Sequence, residues 1–199
     1  MLYWFAWVLL RILLPVLRRW KVEGGDNLPP EGGVIVIANH QSYWDPPVLG
    51  AALKRRVHFM AKEELFRIPL FGLLIRILGA FPVRREGFDR KALKAAVDYL
   101  MRGRVVGIFP EGRRSPTGEL LPAQPGTAVL ALKTGVPVVP VALIGTRGLF
   151  GKVRVRVGKP FYLKTEGKKP TREEIVNGGQ EMIAAIAALM GADADRKWK

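Results

Sequence analysis

The stretch VIVIANHQSYWDPP, residues 34–47, joins a run of five apolar residues to a short polar segment that ends in two prolines. An apolar run of this length indicates a buried strand. His40 then lies where the strand emerges into a loop, which is the usual place for chemistry on an α/β scaffold. The stretch therefore predicts an α/β fold with a functional site at the end of this strand.

Asp45 lies five residues after His40, and a continuous helix would turn about 140° between them, so the segment must bend. Pro46 suits the first position of a helix and pushes the preceding residue out of the α region, which makes Asp45 a candidate N-cap. In such a bend the Asp45 carboxylate can reach one imidazole nitrogen of His40 and leave the other free. This pairing predicts a general base, because the carboxylate fixes the tautomer and stabilises the imidazolium. A hydrogen-bonded structural pair has the same spacing.

The composition limits the classes of function. The chain has 199 residues, enough for one domain, and a formal net charge of +15, which implies an anionic partner. It has no cysteine and two histidines, so we expect no thiolate or histidine-rich metal site. Nucleic acid, an anionic membrane and a phosphorylated substrate all fit the charge. The hydrophobic fraction of 49% favours a membrane surface, and we expect no nucleic-acid partner because the aromatic residues cluster in the apolar N-terminal segment.

The N-terminal segment, residues 2–17, is apolar except for Arg11 and is followed by a basic cluster at 18–21. A helix of about 16 residues rises about 24 Å, which is less than the roughly 30 Å of a bilayer core. Tryptophan and tyrosine prefer the membrane interface, and basic residues prefer anionic headgroups. We predict a membrane-interface anchor helix at 1–21 and a catalytic domain at 22–199. A single span and an ordinary core helix are the alternatives for the anchor.

The remaining elements complete the predicted fold. Residues 22–33 are rich in glycine and proline and indicate a turn-rich connector. Apolar runs predict strands at 57–61, 79–86, 105–109 and 136–143, and strict alternation predicts an edge strand at 153–157. Helical patterns cover 88–102, 124–134 and 171–190. Gly135 is a C-cap position for the second of these helices, and residues 171–174 form a capping box that opens the third. We therefore expect an α/β domain, a mixed β-sheet flanked by helices, preceded by the interfacial helical anchor.

A second informative loop, PEGRRSPTG, follows the strand predicted at 105–109. Gly112 lets the backbone approach a ligand closely, and Arg113 and Arg114 supply planar donors suited to phosphate oxygens. Glu111 could orient an arginine or accept a hydrogen bond from a substrate hydroxyl. A solvated turn with ordinary ion pairs is the alternative.

Four blocks now stand in order, at 39–45, 79–85, 109–115 and 136–141. Together they resemble the glycerolipid acyltransferase family, most closely its lysophosphatidic acid acyltransferase branch, over about residues 34–145. The resemblance implies transfer of a fatty acyl group from an acyl thioester, acyl-CoA or acyl-carrier protein, to the free sn-2 hydroxyl of 1-acylglycerol 3-phosphate. The product is phosphatidic acid. The resemblance also implies that the enzyme needs no cofactor besides the thioester co-substrate. It further implies a membrane-associated enzyme on the cytoplasmic face of the cell membrane.

The resemblance also implies roles for individual residues. His40 matches the catalytic base and Asp45 its orienting acid. Arg85 matches an arginine held to bind the acceptor phosphate. In the third block, the residues implied to bind the acceptor are Glu111, Gly112, Arg113 and Arg114. The chain departs from the family at Arg113, where a threonine is frequent, at Arg84, where an acidic residue is frequent, and near Gln124, where a lysine is frequent.

Other functions compete with this one. Within the enzyme class, the acceptor could be another lysophospholipid, glycerol 3-phosphate or an aminoacyl lipid. Outside it stands a non-catalytic basic membrane-binding module. A Ser-His-Asp hydrolase using Ser42 is disfavoured, because the chain has no Gly-x-Ser-x-Gly elbow and Ser42 lies too close to His40 in sequence.

Two further features have several interpretations. After Glu64, residues 65–78 are apolar apart from Arg67 and Arg76, and the stretch 64–78 predicts a core helix broken near Pro69. A second surface that dips into lipid, or the lining of an acyl-chain tunnel, is the alternative. His58 lies inside a predicted strand with no acidic residue at a useful spacing, so we expect a packed or capping histidine.

Overall fold

The computed structural model describes residues 1–84, 89–148, 151–167 and 169–191. Within those ranges seven strands form one sheet, in the order β1-β7-β6-β2-β5-β3-β4. The strands are β1 (Lys21–Glu23), β2 (Val34–Ala38), β3 (Val57–Lys62), β4 (Phe81–Val83), β5 (Val105–Ile108), β6 (Val138–Ile144) and β7 (Arg154–Val157). The α-helices are α1 (Leu2–Arg18), α2 (Asp45–Ala52), α3 (Phe71–Ile77), α4 (Arg90–Met101), α5 (Pro125–Thr134) and α6 (Arg172–Gly191).

The sheet is mixed, as predicted. β2 runs parallel to both of its neighbours, β5 and β6, and the parallel set continues through β3 to β4. β7 pairs antiparallel with β6, and β1 runs parallel to β7. The carboxyl ends of β2, β5 and β6 therefore meet at one edge of the sheet, where the loops that follow them form a common site.

Both faces of the sheet are covered by helices, which explains why residues 34–38 form a continuous apolar run. Alternate β2 side chains, Val34 and Val36, pack into a core shared with α1 and α2. Ile35 and Ile37 point to the opposite face, into a core shared with α4, α5 and α6. All five residues of β2 are buried, so the strand lies at the centre of the protein and fixes where its polar continuation begins.

The prediction of an edge strand at 153–157 is wrong. β1 pairs with the outer side of β7, with Val22 opposite Val155. β1 lies at the boundary between the predicted anchor and the predicted connector, and its three residues are too few to give a period-2 pattern. Glu23 stabilises the pairing from β1, because its carboxylate accepts a hydrogen bond from Arg156 Nε at 3.0 Å.

The predicted capping box of the last helix is present. Thr171 Oγ1 accepts from the Glu174 backbone N–H at 3.2 Å, and Glu174 Oε2 accepts from the Thr171 backbone N–H at 2.6 Å. The predicted C-cap glycine of α5 is also confirmed, since Gly135 has φ 62°. Local capping signals in the sequence therefore located these helix ends correctly.

The polar groups of α1 face the protein. Trp7 Nε1 donates to the Leu53 carbonyl at 2.9 Å and Arg11 Nε to the Ala51 carbonyl at 3.0 Å, so α1 caps the C-terminal end of α2. The outward face of α1 is apolar. Among the described residues, no helix has both the length and the apolar character needed to cross a membrane. The division into an anchor at 1–21 and a domain at 22–199 stays a prediction.

The prediction of a core helix within residues 64–78 is wrong. The segment breaks near Pro69 as expected, but into a 3₁₀ turn at Glu63–Arg67 and the short helix α3. Most of the large apolar side chains from Ile68 to Ile77 are exposed instead of buried. Apolar content alone could not distinguish a core position from an apolar surface.

Candidate active site

His40 and Asp45 meet in the turn between β2 and α2. Nδ1 of His40 lies 2.7 Å from Oδ2 of Asp45, and both side chains are buried. The strand ends at Ala38 and the helix begins at Asp45, so the six intervening residues make the bend that the sequence required. The structure thus brings together the two residues predicted to form the base and its orienting acid.

The Asp45 carboxylate accepts hydrogen bonds on both oxygens. Oδ2 accepts from the backbone N–H groups of Gln41 and Ser42, at 2.6 and 2.7 Å, besides its contact with His40. Oδ1 accepts from the Thr146 hydroxyl at 2.5 Å. This arrangement corrects the N-cap prediction: Asp45 is the first residue of α2, and its carboxylate bonds the turn that precedes the helix instead of the helix N-terminus. Its orientation toward His40 is fixed by these donors.

The His40 imidazole is held on several sides. It stacks on Phe109 with ring centroids 4.1 Å apart. The backbone N–H of His40 donates to Glu111 Oε1 at 2.7 Å, and its carbonyl accepts from the Ser115 backbone N–H at 2.7 Å. A carboxylate can only accept, so Nδ1 donates in this bond, and in the neutral ring Nε2 keeps its lone pair. Within the part of the chain that the structure describes, Nε2 has no hydrogen-bond partner, and the ring lines a cleft.

β6 and the loop after it contribute two contacts that the sequence did not predict. Thr146, fully buried, reaches Asp45 across 101 positions of sequence. The Asn39 side chain pairs with the backbone of Leu143 in both directions, at 2.9 and 2.7 Å, and ties the end of β2 to β6. The only sequence signal for Thr146 was its place two residues after a strand, which became informative once β6 was known to neighbour β2.

Glu111 is buried beneath the site, at 2% exposure. Its second oxygen, Oε2, accepts from the Leu121 backbone N–H at 3.0 Å, so each oxygen already holds one backbone donor. Burial raises the pKa of the Glu111 carboxyl, and the N–H groups of His40 and Leu121 oppose that rise by bonding the charged form. Its predicted contact with the acceptor stays a prediction, while its bond to the His40 backbone is observed.

A cleft of about 850 Å³ opens beside His40 at the carboxyl edge of the sheet. One part is polar, with Arg84, Arg113 and Asp89 at its margin. The Arg84 guanidinium also pairs with Glu63 at 2.9 Å. The other walls are apolar, from Met60, Val83, Leu93 and Ile108. A cleft with arginines at its margin, apolar walls and an imidazole suits an amphiphilic substrate that carries an anionic head.

The predicted acceptor-binding residues divide among different positions. Arg113 is exposed and lines the cleft, and Gly112, with φ 70°, lies beside it. Arg114 instead lies over the Tyr43 ring, 3.5 Å from its centroid, and donates to the Tyr43 hydroxyl at 2.8 Å. Arg85 lies outside the described residues. The acceptor-binding roles of all five residues, Glu111 included, stay predictions.

The described ranges contain no metal-binding cluster. No group of three or more histidine, cysteine, aspartate or glutamate side chains there could hold a metal ion.

Known proteins are similar to this chain in both sequence and fold. A model of the Acyltransferase family matches residues 19–144. A 1-acyl-sn-glycerol-3-phosphate acyltransferase of Bacillus subtilis is 32% identical over 180 residues, which cover 87% of this chain and 89% of that protein. A chloroplastic enzyme of the same name from Brassica napus is 35% identical over 71% of this chain, but the match spans only 44% of the Brassica protein.

One solved structure resembles the chain over most of its length. The crystal structure of the 1-acyl-sn-glycerophosphate acyltransferase PlsC from Thermotoga maritima aligns with a TM-score of 0.70 and 33% identity, covering 90% of this chain and 73% of the other. The resemblance predicted from the four sequence blocks is thus confirmed. Because the family model matches well over half of the sequence and the Bacillus relative aligns along nearly its whole length, the chain belongs to the Acyltransferase family.

Proposed function

We propose that the protein transfers a fatty acyl group from an acyl thioester to the sn-2 hydroxyl of 1-acylglycerol 3-phosphate and so forms phosphatidic acid. The observation that carries the proposal is the His40–Asp45 pair, with Nδ1 bonded at 2.7 Å and the ring opening on the cleft. The names of the Bacillus and Thermotoga relatives support this acceptor.

The reaction needs a base, because an alcohol is a poor nucleophile near neutral pH. Nε2 of His40 takes the proton of the acceptor hydroxyl while the oxygen attacks the thioester carbonyl. The carbon–oxygen bond forms, the carbon–sulfur bond breaks, and the imidazolium returns its proton to the departing thiolate. Asp45 keeps the proton on Nδ1 and stabilises the imidazolium between the two steps. Such a base contributes about 10² to 10⁴ in rate.

The acceptor is oriented by charge at one end and apolar contact at the other. Arg113, at the cleft margin, and Arg85 bind the phosphate in this proposal, with planar guanidinium donors suited to its oxygens. Met60, Val83 and Leu93 offer an apolar wall to an acyl chain. Holding the hydroxyl against His40 in this way can lower a barrier by several kcal/mol.

The thioester donor is acyl-CoA or acyl-carrier protein, and both fit the same mechanism. The acceptor and the product are lipids, so we further propose that the enzyme is membrane-associated, on the cytoplasmic face of the cell membrane. The outward apolar face of α1 supports this, with Phe5, Ile12 and Val16 more than half exposed. A net charge of +15 favours an anionic lipid surface.

The test measures thiol release from long-chain acyl-CoA and from acyl-carrier protein, with and without 1-acylglycerol 3-phosphate, on vesicles. We expect release that depends on the acceptor, is abolished in His40→Ala and persists in the matched histidine control His58→Asn. Arg85→Ala and Arg113→Ala should mainly raise the KM for the acceptor. Release that ignores the acceptor would indicate a thioesterase.

The same assay separates the competing functions. Glycerol 3-phosphate, other lysophospholipids and aminoacyl lipids replace the acceptor in parallel reactions, and a preference for one of them would replace the proposed substrate. No release with any donor and acceptor would favour a basic membrane-binding module without activity.

A further inference from the structure

The segment 68–77, called the α3 surface below, is the exposed apolar region outside α1 with the most large side chains in the described chain. Its exposed apolar members are Ile68, Leu70, Phe71, Leu73, Leu74 and Ile77. Leu70 is 83% exposed and Leu73 60% exposed. Water-exposed leucines at this density mark a surface that contacts another apolar phase.

The backbone holds these side chains outward. A β-carbon at Gly72 would collide with the carbonyl of Phe66, so only glycine lets α3 pack this closely on the preceding turn. Leu70 has φ 60°, a backbone conformation that glycine adopts far more readily than leucine. A leucine that is strained in its backbone and nearly free of packing contributes little to folding, which indicates that its side chain serves a contact outside the chain.

The charges around the α3 surface suit an anionic bilayer. Glu63 and Glu64 precede the segment, but from Leu65 to Arg84 the sequence has no acidic residue. Arg76 is exposed, and so is Arg67, which pairs with Glu63 at 3.3 Å. Residues 1–22, which contain α1, likewise have none. Apolar side chains interspersed with exposed arginines are typical of segments that lie among lipid headgroups.

The α3 surface adjoins α1 at one side chain. Arg56 Nη2 donates to the Ile77 carbonyl at 2.7 Å, at the end of α3. The Arg56 guanidinium carbon also lies 5.0 Å from the centroid of the Tyr3 ring, in the first turn of α1. One arginine side chain therefore links the end of α3 to the beginning of α1.

We propose that the α3 surface is a second lipid-contact element that inserts among the headgroups of an anionic bilayer beside α1. With α1 as its only contact, the protein could rotate about the axis of that helix. A second contact would fix the orientation of the protein on the membrane. An acyl chain in the catalytic cleft does not explain these exposed leucines, because none of the described residues lining that cleft belongs to 68–77. The proposal concerns lipid binding alone and does not depend on the acyl-transfer reaction.

The chain has no cysteine, so single cysteines can report on single positions. Leu73→Cys, Phe5→Cys on α1 and Val176→Cys on α6 are each labelled with an environment-sensitive fluorophore. On adding vesicles that contain phosphatidylglycerol, we expect a blue shift and brighter emission at 73 and at 5, and no change at 176. A shift at 5 alone would overturn the proposal, as would a shift at 73 that appears with acyl-CoA or with rising protein concentration and no vesicles.

A second measurement protects the test against misfolded variants. The double variant Leu70→Gly/Leu73→Ser should bind these vesicles at least about tenfold more weakly, because it removes two apolar side chains from the lipid contact. Its thermal unfolding midpoint should not fall, since glycine relieves the strain at 70. Val176→Ser, a control at a half-exposed position on α6, should bind as the parent does. Unchanged binding of the double variant would overturn the proposal.

Discussion

Thr146 Oγ1 lies 2.5 Å from Asp45 Oδ1 and joins the loop after β6 to the first residue of α2. The same loop is held from the other side by Arg18, at the end of α1, which donates to the carbonyls of Gly145 and Gly148 at 2.7 Å each. A connected set of hydrogen bonds thus runs from the N-terminal helix through Thr146 to the carboxylate that orients His40.

Replacing Thr146 should reduce turnover more than substrate binding. Thr146→Val keeps the volume but removes the donor to a buried carboxylate, so we expect kcat to fall roughly tenfold or more, with the KM for the acceptor nearly unchanged. Thr146→Ser should restore most of the rate. The control Thr134→Val removes a hydroxyl that is bonded to the Leu130 carbonyl, remote from His40 and Asp45. This variant should leave kcat unchanged. A rise in KM alone would contradict this role for Thr146.

Asp45→Asn should be far more damaging. An asparagine amide cannot stabilise the imidazolium, and at Oδ2 it would set its NH₂ group against the N–H donors of Gln41 and Ser42 unless the side chain flips. We expect kcat to fall by about 10² to 10⁴ and the pH dependence of kcat to change. Asp98→Asn, on the exposed side of α4, is the matched control. Equal rates for Asp45→Asn and the parent would exclude His40 as an Asp-assisted base.

Glu111 offers a choice between two roles that kinetics can separate. Its bonds to the backbone N–H groups of His40 and Leu121 predict that Glu111→Ala lowers kcat and costs about 2 kcal/mol or more of stability, because two buried donors lose their acceptor. The role implied by family resemblance, contact with the acceptor, predicts a higher KM instead. Urea unfolding and steady-state kinetics are measured together, with Glu119→Ala as the exposed control on the same loop.

The sequence predicted the pairing of His40 with Asp45 because its signals are local. The apolar run of β2, the prolines after Asp45 and the five-residue spacing all lie within one stretch, and backbone sterics alone require the bend between them. The mixed sheet and most helices followed from the same kind of local pattern and capping. Arg113 was likewise marked by the chemistry of its own loop.

What the sequence missed depends on contacts between distant segments. Thr146 and Asn39 act across more than a hundred positions, and their partners are unknown until β6 is placed beside β2. The β1 strand has no periodicity of its own and exists because β7 pairs with it. The sequence also could not show whether the leucines of α3 are buried or exposed, because a buried and a lipid-facing leucine look alike in sequence.

Acidification should destabilise the protein through His58. Burial lowers the pKa of this histidine below its ordinary value of 6.5, and the charges of Arg56 and Arg104 act in the same direction, while its bond to the Gly79 carbonyl opposes them. The stability it contributes is present above pH 6.5 and is lost as the pH falls through the lowered folded pKa. We expect the unfolding free energy to fall there by up to about 1.4 kcal/mol per pH unit.

The variant His58→Asn isolates this effect, because asparagine can place an amide donor near the position of Nδ1 and does not titrate. Its unfolding free energy should depend less steeply on pH below about 6.5 than that of the parent. The other histidine, His40, is common to both proteins and cancels in the comparison. Parallel pH profiles for the two proteins would show that His58 does not carry the dependence.

The two faces of α1 should respond differently to substitution. Phe5, Ile12 and Val16 are exposed on one face, and replacing all three with serine should lower activity on vesicles at least about tenfold while activity on detergent-dispersed substrate stays close to that of the parent. Trp7→Ser should instead lower both activities and the unfolding midpoint, because the indole donates to Leu53 and lies 4.2 Å from the Arg11 guanidinium. Equal losses of the triple variant in both assays would mean that the outer face supports the fold and not the membrane contact.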